Sequence, residues 1–296
     1  MDISLQALRC FVAVAEELHF TRAAERLLMA QPAVSKSIRR LEGTLGAPLF
    51  VRSSHGVELT DAGRSLLPVA TRMLTDFDGW TRDLRAVTAE ATRVLQVGYH
   101  SSIEPALTNR IEAGFRRSRP GWSVRMRVVD WADPARGVLD GEIRAALLRL
   151  PVPGRERLDV EVLRREPRCV ALPDGHRLLD RDTVRLADLK DEAFVALPAA
   201  SGPLREFWLA ADRFGGRQRI AAEVGNSEDF FQNVQSSRAV GMIAESSARV
   251  YRRPGVHYRL VEDAEPSELA VVWERDSTDP VVRDFVRACS EAAESA

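Results

Sequence analysis

Residues 20–67 read FTRAAERLLMAQPAVSKSIRRLEGTLGAPLFVRSSHGVELTDAGRSLL. Within this run Val34, Ile38, Leu41 and Leu45 are spaced by four, three and four residues, one apolar stripe along a helix. Gln31 and Pro32 open that helix, where proline is tolerated because first-turn amides lack intrahelical acceptors. Gly46 closes it, being free to adopt positive φ. Opposite the stripe lie Pro32, Ser35, Lys36, Arg39 and Arg40, with Gln31 at the edge of the first turn. Upstream, a short helix is expected over Arg22–Leu28 with Thr21 as its cap. Its Ala23-Ala24 pair is small enough for close helix packing. A first amphipathic helix is expected over Ser4–Leu18, with Ser4 as N-cap.

Two short helices joined by a tight turn, the second with an apolar back and a basic polar front, make a helix-turn-helix. The first turn of such a second helix enters the major groove. Gln pairs with adenine, Ser bonds either way, and Lys reaches guanine or phosphate. Taken alone, that face also reads as a solvated basic surface. Downstream, Pro48–Arg52 and Val57–Leu59 read as two strands around a turn, a wing that offers Arg52 to the DNA backbone or minor groove. Thr60-Asp61 is expected to cap the next helix.

Charge distribution agrees. The 296-residue chain carries a formal charge of −1, yet residues 21–52 hold six basic side chains against two acidic ones. A local basic patch on a balanced protein suits a polyanion. At this length two or three domains are expected. The composition, 45% hydrophobic and 29% charged, is that of a globular protein. No apolar run is long enough to span a membrane. No basic start followed by an apolar block marks a signal peptide, so a cytoplasmic location is expected. Cys10, Cys169 and Cys289 follow no ligand or disulfide spacing and read as small buried residues, with a redox-sensing thiol as the alternative.

The run quoted above resembles the winged helix-turn-helix of the LysR-type transcriptional regulators, from the first short helix to the Leu-Thr-Asp-Ala-Gly entry of the linker. The resemblance implies groove contacts at Gln31, Pro32, Ser35 and Lys36, a wing contact at Arg52 and a phosphate contact at Arg39. Ala30 is a departure, since Ser or Thr is usual there. Alanine cannot cap, and losing a cap costs about 1 kcal/mol.

Beyond the wing, Leu66, Ala70, Met73, Phe77, Trp80, Leu84 and Val87 alternate four and three apart, a heptad seam. Leu66, Met73, Phe77, Trp80 and Leu84 are therefore the expected dimerisation residues. Packing on the helix's own domain is the alternative. The resemblance implies an antiparallel dimer that reads a pseudo-palindromic operator, assembly into a homodimer or homotetramer, and RNA polymerase as a further partner.

After Ala91, strands alternate with helices, the pattern of a mostly parallel α/β sheet. The expected strands include Val94–Tyr99, Val124–Val129, Ala145–Leu150, Cys169–Leu172, Phe194–Leu197, Ile220–Val224, Gly241–Ala244 and Leu269–Trp273. Helices are expected over Pro203–Phe214 and Val281–Ala292, among others. The order resembles the family's regulatory domain, itself similar to type 2 periplasmic binding proteins. The expected fold class is thus α/β, with a winged helix-turn-helix (1–60), a dimerising linker helix (61–91) and a two-subdomain effector-binding domain (92–296). Subdomain I would take 92–163 and 266–296, and subdomain II 164–265. Crossovers are expected near Leu163–Arg165 and Asp263–Pro266.

Ligands in such folds bind outside strand carboxyl ends, and helix N-termini favour anions. That rule selects His100, Ser101, Ser102, Asp130, Trp131, Arg149, Ser201, Asn226 and Phe230 as effector-binding residues. Each has a plainer alternative, as an N-cap, a core residue or an ion-pair partner. Arg149 would hold the carboxylate of a small organic anion. No metal-ligand spacing, phosphate loop or nucleophile elbow is present, and His100-Ser101 has no orienting acid, so neither an enzyme nor a bound cofactor is expected. Without a signal peptide, a solute-binding protein is also disfavoured.

Overall fold

The computed structural model describes residues 3–27, 29–53, 56–101, 103–215 and 218–295. The chain falls into two compact units, Met1–Leu84 and Arg85–Ala296. No helix among the described residues is long and apolar enough to cross a membrane.

The first unit holds α1 (Leu5–Glu17), α2 (Phe20–Arg26), α3 (Gln31–Leu45), β1 (Phe50–Ser53) and β2 (Gly56–Leu59), and most of α4 (Asp61–Thr92). Ser4 caps α1 by accepting from the Ala7 amide, and Leu18 ends it in the left-handed region. The cap of α2 is His19, not Thr21: its Nδ1 accepts from the Thr21 and Arg22 amides. The helix begins at Phe20, one residue before the expected cap, and Phe20 is buried in the core, edge-on to Phe50. Ala23 and Ala24 are fully covered there, and Val34, Ile38 and Leu41 of α3 meet them with Phe11 and Val14. Thr60 Oγ1 accepts from the Gly63 amide and donates to Pro48 O, tying the wing to the start of α4. Gly63 sits where a β-carbon would lie 2.3 Å from Leu49 O, so only glycine lets α4 approach the wing this closely.

The second unit follows with β3 (Val94–Tyr99), α5 (Pro105–Ser118), β4 (Ser123–Val128), α6 (Arg136–Leu139), β5 (Ala145–Arg149), β6 (Leu158–Glu166), β7 (Arg168–Pro173), β8 (Thr183–Val184) and β9 (Ala193–Ala196). It continues with α7 (Pro203–Leu209), α8 (Ala211–Phe214), β10 (Arg219–Glu223), α9 (Ser227–Ser237), β11 (Gly241–Ala244), α10 (Glu245–Val250), β12 (Val256–Val261), β13 (Ser267–Glu274) and α11 (Pro280–Glu294). The first sheet has the order β4-β3-β5-β13-β6, and a second has the order β11-β7-β12-β8, beside the parallel pair β10-β9.

These sheets are mixed rather than mostly parallel. β13 returns antiparallel between β5 and β6, and β7 runs antiparallel to both β11 and β12. The long strand β6 is not among the expected strands, although Leu158, Val160 and Val162 alternate with Asp159 and Glu161; only its two ends, Leu158 and Glu166, are buried. It carries the first sheet to Glu166, so the chain crosses at Pro167, just beyond the expected Leu163–Arg165. The return crossing lies between Val261 and Ser267. The single helix expected over Pro203–Phe214 is broken at Ala210, which takes positive φ and closes α7 through its amide. Arg144, for which the sequence offers no role, donates through Nε to Asp279, the residue that caps α11.

Candidate functional site: a DNA-reading face and a strand-end cavity

The exposed face of α3 is built from its first turn. Ala30 makes no side-chain cap, as expected, while Pro32 occupies the first turn. Gln31 donates from Nε2 to Ser35 Oγ at 2.9 Å. Ser35 is itself buried, flanking the apolar stripe where its small side chain is easily covered. It therefore does not stand on the open face with Pro32, Lys36, Arg39 and Arg40, as the helical projection had it, but holds Gln31 from behind. Arg39 leans on the same turn through Nε to Ser35 O. Of the six basic side chains in the patch, Arg22 and Arg26 pair with Glu17 and Glu16, which lie just outside the counted window. The cationic face is thus narrowed to α3. The Arg52 backbone pairs with Val57 in the wing, and its side chain lies outside the described residues. One contributor was not legible beforehand: Glu42 accepts from the Leu49 and Phe50 amides and pins the wing to α3. Its residue type alone shows only an acid in a basic stretch.

Along α4 the heptad seam divides. Leu66 and Ala70, joined by Leu74, pack into the first unit's own core. Leu66 is partly buried against this core, the alternative stated for the helix's own domain. Met73, Phe77, Trp80, Leu84 and Val87 are exposed instead, Trp80 at 58% and Val87 at 67%. Arg9 on α1 binds Asp78 at 2.5 Å and fixes the direction in which α4 leaves the core.

In the second unit, the carboxyl ends of several strands surround a half-open cavity. His100, Ser101, Trp131, Arg149 and Phe230 line it, five of the nine residues expected. Ser102 lies outside the described residues. The other three support the walls. Asn226 caps α9 by accepting from the Asp229 amide, Asp130 accepts from the Ala132 amide, and buried Ser201 donates to Trp131 O at 2.8 Å. Trp131 in turn donates from its indole to His100 O and packs in the core around β7 and β9. The tryptophan thus bridges the two sheets.

Arg149, only 2% exposed, does not point an unpaired charge into the cavity. Its Nη1 donates to Glu166 Oε1 at 2.8 Å and to Ser267 Oγ at 3.2 Å, and its Nη2 to Ser246 Oγ at 2.9 Å. Glu166 Oε2 accepts from the Ser246 amide. Burial pushes the Glu166 pKa up, but the Arg149 charge and these hydrogen bonds outweigh it and hold the carboxyl below its ordinary range. Glu166 and Ser267 are the residues at which the two crossings meet the first sheet. One guanidinium therefore ties β5 to both connections and to α10. Burial, reinforced by the Arg149 charge, pushes His100 down from 6.5 to about 3, so its ring is neutral. Two buried atoms lack any partner here, His100 Nδ1 and Arg149 Nε.

Comparison with known proteins assigns both units. Residues 5–64 match the model of the bacterial regulatory helix-turn-helix protein, lysR family, and residues 88–294 match the LysR substrate binding domain. The chain belongs to the LysR family. It is a DNA-binding transcriptional regulator with an effector-binding domain, and not an enzyme. Among LysR-type relatives it is 28% identical to the regulator XapR of Escherichia coli, with 97% of each chain covered. It is 31% identical to the regulator IlvR of Caulobacter vibrioides, with 98% of each covered. The crystal structure of CbnR, a LysR family transcriptional regulator, shares the fold with a TM-score of 0.53 at 24% identity, covering 97% of this chain and 99% of that one. Within this LysR domain, Ser247 and Tyr251 also line the cavity. Ser247 lies in the first turn of α10, directly after β11, where the strand-end rule reaches it, whereas Tyr251 closes the far end of α10 and is outside that rule. Glu166, Ser246 and Ser267 carry no local signature, because their role exists only through the arginine they meet.

Proposed function

We propose that this LysR-type regulator reads a pseudo-palindromic operator as a homodimer and responds to a small molecule held in the cavity between its two sheets. The observation that carries the DNA half is the narrowing of basic charge to α3, with Pro32, Lys36 and Arg39 exposed and Gln31 steadied by Ser35. In this reading Gln31, Pro32 and Lys36 meet base edges, Arg39 meets phosphate, Arg52 reaches from the wing, and Ser35 acts through Gln31. The exposed seam Met73, Phe77, Trp80 and Leu84 supplies the second copy's contact surface. The functional divisions are the head at 1–60, the linker at 61–91 and the effector domain at 92–296, split at the two crossings. The protein works in the cytoplasm and communicates with RNA polymerase.

His100, Ser101, Trp131, Arg149 and Phe230 contact the effector, while Asp130, Ser201 and Asn226 hold the walls. A ligand shifts the regulator only through a difference in affinity between two shapes. The clamp of Arg149 on both crossings is where such a difference would be felt. The test is a mobility-shift titration on the DNA upstream of the gene across a range of salt. Steep salt dependence with sequence preference is expected. Equal affinity for unrelated DNA at every salt concentration refutes the reading.

A further inference from the structure

We infer that the cavity is built for an uncharged, mostly apolar ring compound carrying a carbonyl or hydroxyl oxygen, and not for the carboxylate that a strand-end arginine suggests. This rests on the reading of the cavity as the effector site and adds its chemistry.

The walls set the shape of the occupant. Trp131, Trp208, Phe230 and Phe231 present rings, and Leu197 and Met242 fill between them. The titratable groups among its described lining residues are His100, Arg149 and Tyr251. Tyr251 donates to Ser227 Oγ at 2.9 Å. His100 is a neutral ring.

Charge decides the class. The cation of Arg149 is already matched by Glu166, with both side chains almost wholly buried. An incoming carboxylate would place two anions on one guanidinium that is itself almost wholly buried. Leaving a buried anion short of a partner costs several kcal/mol. An uncharged oxygen incurs no such cost and gains something specific. Arg149 Nε–H is a buried donor without an acceptor, and such an orphan costs about 1–3 kcal/mol until it is satisfied. His100 Nδ1 is a second orphan on the same cavity, and its neutral ring can donate or accept according to tautomer. An occupant's carbonyl oxygen that reached Arg149 Nε would satisfy it, and a hydroxyl that reached His100 Nδ1 would satisfy that atom. The aromatic walls cover the remainder.

The test uses the full-length protein at neutral pH and matched probes that differ in charge: acetophenone and benzamide against benzoate, and 2-acetylnaphthalene against 2-naphthoate. Binding is followed by calorimetric titration and by the shift in thermal midpoint. The uncharged members are expected to bind at least about ten-fold more tightly than their carboxylates, and Ser101→Phe, which fills the cavity from its rim, abolishes that binding. Glu166→Gln strips Arg149 of its counter-charge and brings the carboxylates level with or ahead of the uncharged probes. If the wild-type protein prefers carboxylates and Ser101→Phe removes them, the cavity reading stands and the inference about charge is overturned. Binding of both classes undisturbed by Ser101→Phe removes the ligand from the cavity and sinks both. Failure of every uncharged probe to bind at millimolar concentration also overturns the inference, whether or not Glu166→Gln folds.

Discussion

The neutrality of His100 makes a quantitative prediction about stability. In the fold its pKa is pushed from 6.5 down to about 3, by burial first and by Arg149 second. The unfolded chain therefore binds the proton that the folded chain refuses. Stability from this group is complete above pH 6.5 and is lost as the pH falls toward 3, at about 1.4 kcal/mol per unit. Between pH 7.5 and 5 the loss is about 2 kcal/mol, which for a unit of this size lowers the thermal midpoint by roughly 4–8 °C. Carboxylates add little in this window, and their share is common to wild type and variant, so it cancels in the difference. Tryptophan fluorescence isolates the relevant unit, because Trp122, Trp131, Trp208 and Trp273 lie in it and only Trp80 lies outside. In His100→Gln the midpoint should stay nearly flat over the same range, whatever its absolute value. Parallel slopes in the two proteins would refute the assignment of a buried, neutral His100.

Other outcomes follow from the same geometry. Gly241→Ala puts a methyl 2.3 Å from the Phe230 ring, so thermal unfolding should reveal a loss of about 1–3 kcal/mol together with weaker binding of the uncharged probes. Phe77→Glu with Trp80→Glu should shift sedimentation from dimer to monomer and lower operator affinity, while the circular dichroism of the monomer stays intact. Lys36→Ala should reduce the slope of log affinity against log salt by about one. Ser35→Ala should leave that slope unchanged and, in a base-substitution series, relax preference at the position Gln31 reads.

The DNA-reading unit was almost wholly legible in the residues because its organisation is local. The apolar spacing of α3, Gly46 at its end and Thr60 before α4 each act within a few residues of themselves, and each is found where the pattern put it. The errors there were contacts made at a distance. His19 took the cap of α2 because Phe20 was pulled into the core, and Ser35 went under cover although its helical angle faced outward. In the second unit the strand ends led to five wall residues without any knowledge of the sheets. Asp130, Ser201 and Asn226 obeyed the same rule but turned to backbone amides and a carbonyl, and for Asn226 this is the N-cap that its place before a helix also allows.

Arg149 marks the boundary between the two kinds of knowledge. The sequence alone determined that a cationic side chain ends a buried strand and stands among aromatic and small polar residues of a regulatory domain. Only the tertiary structure decided what that charge does. Glu166 and Ser267 are 17 and 118 residues from Arg149 along the chain, and they reach it because two crossings return to one sheet. Helical and strand periods are set by neighbours in sequence, so they can be read from it. Compensation of a buried charge is set by whichever group the fold brings within about 3 Å, and here it turns an apparent anion site into one suited to an uncharged ligand.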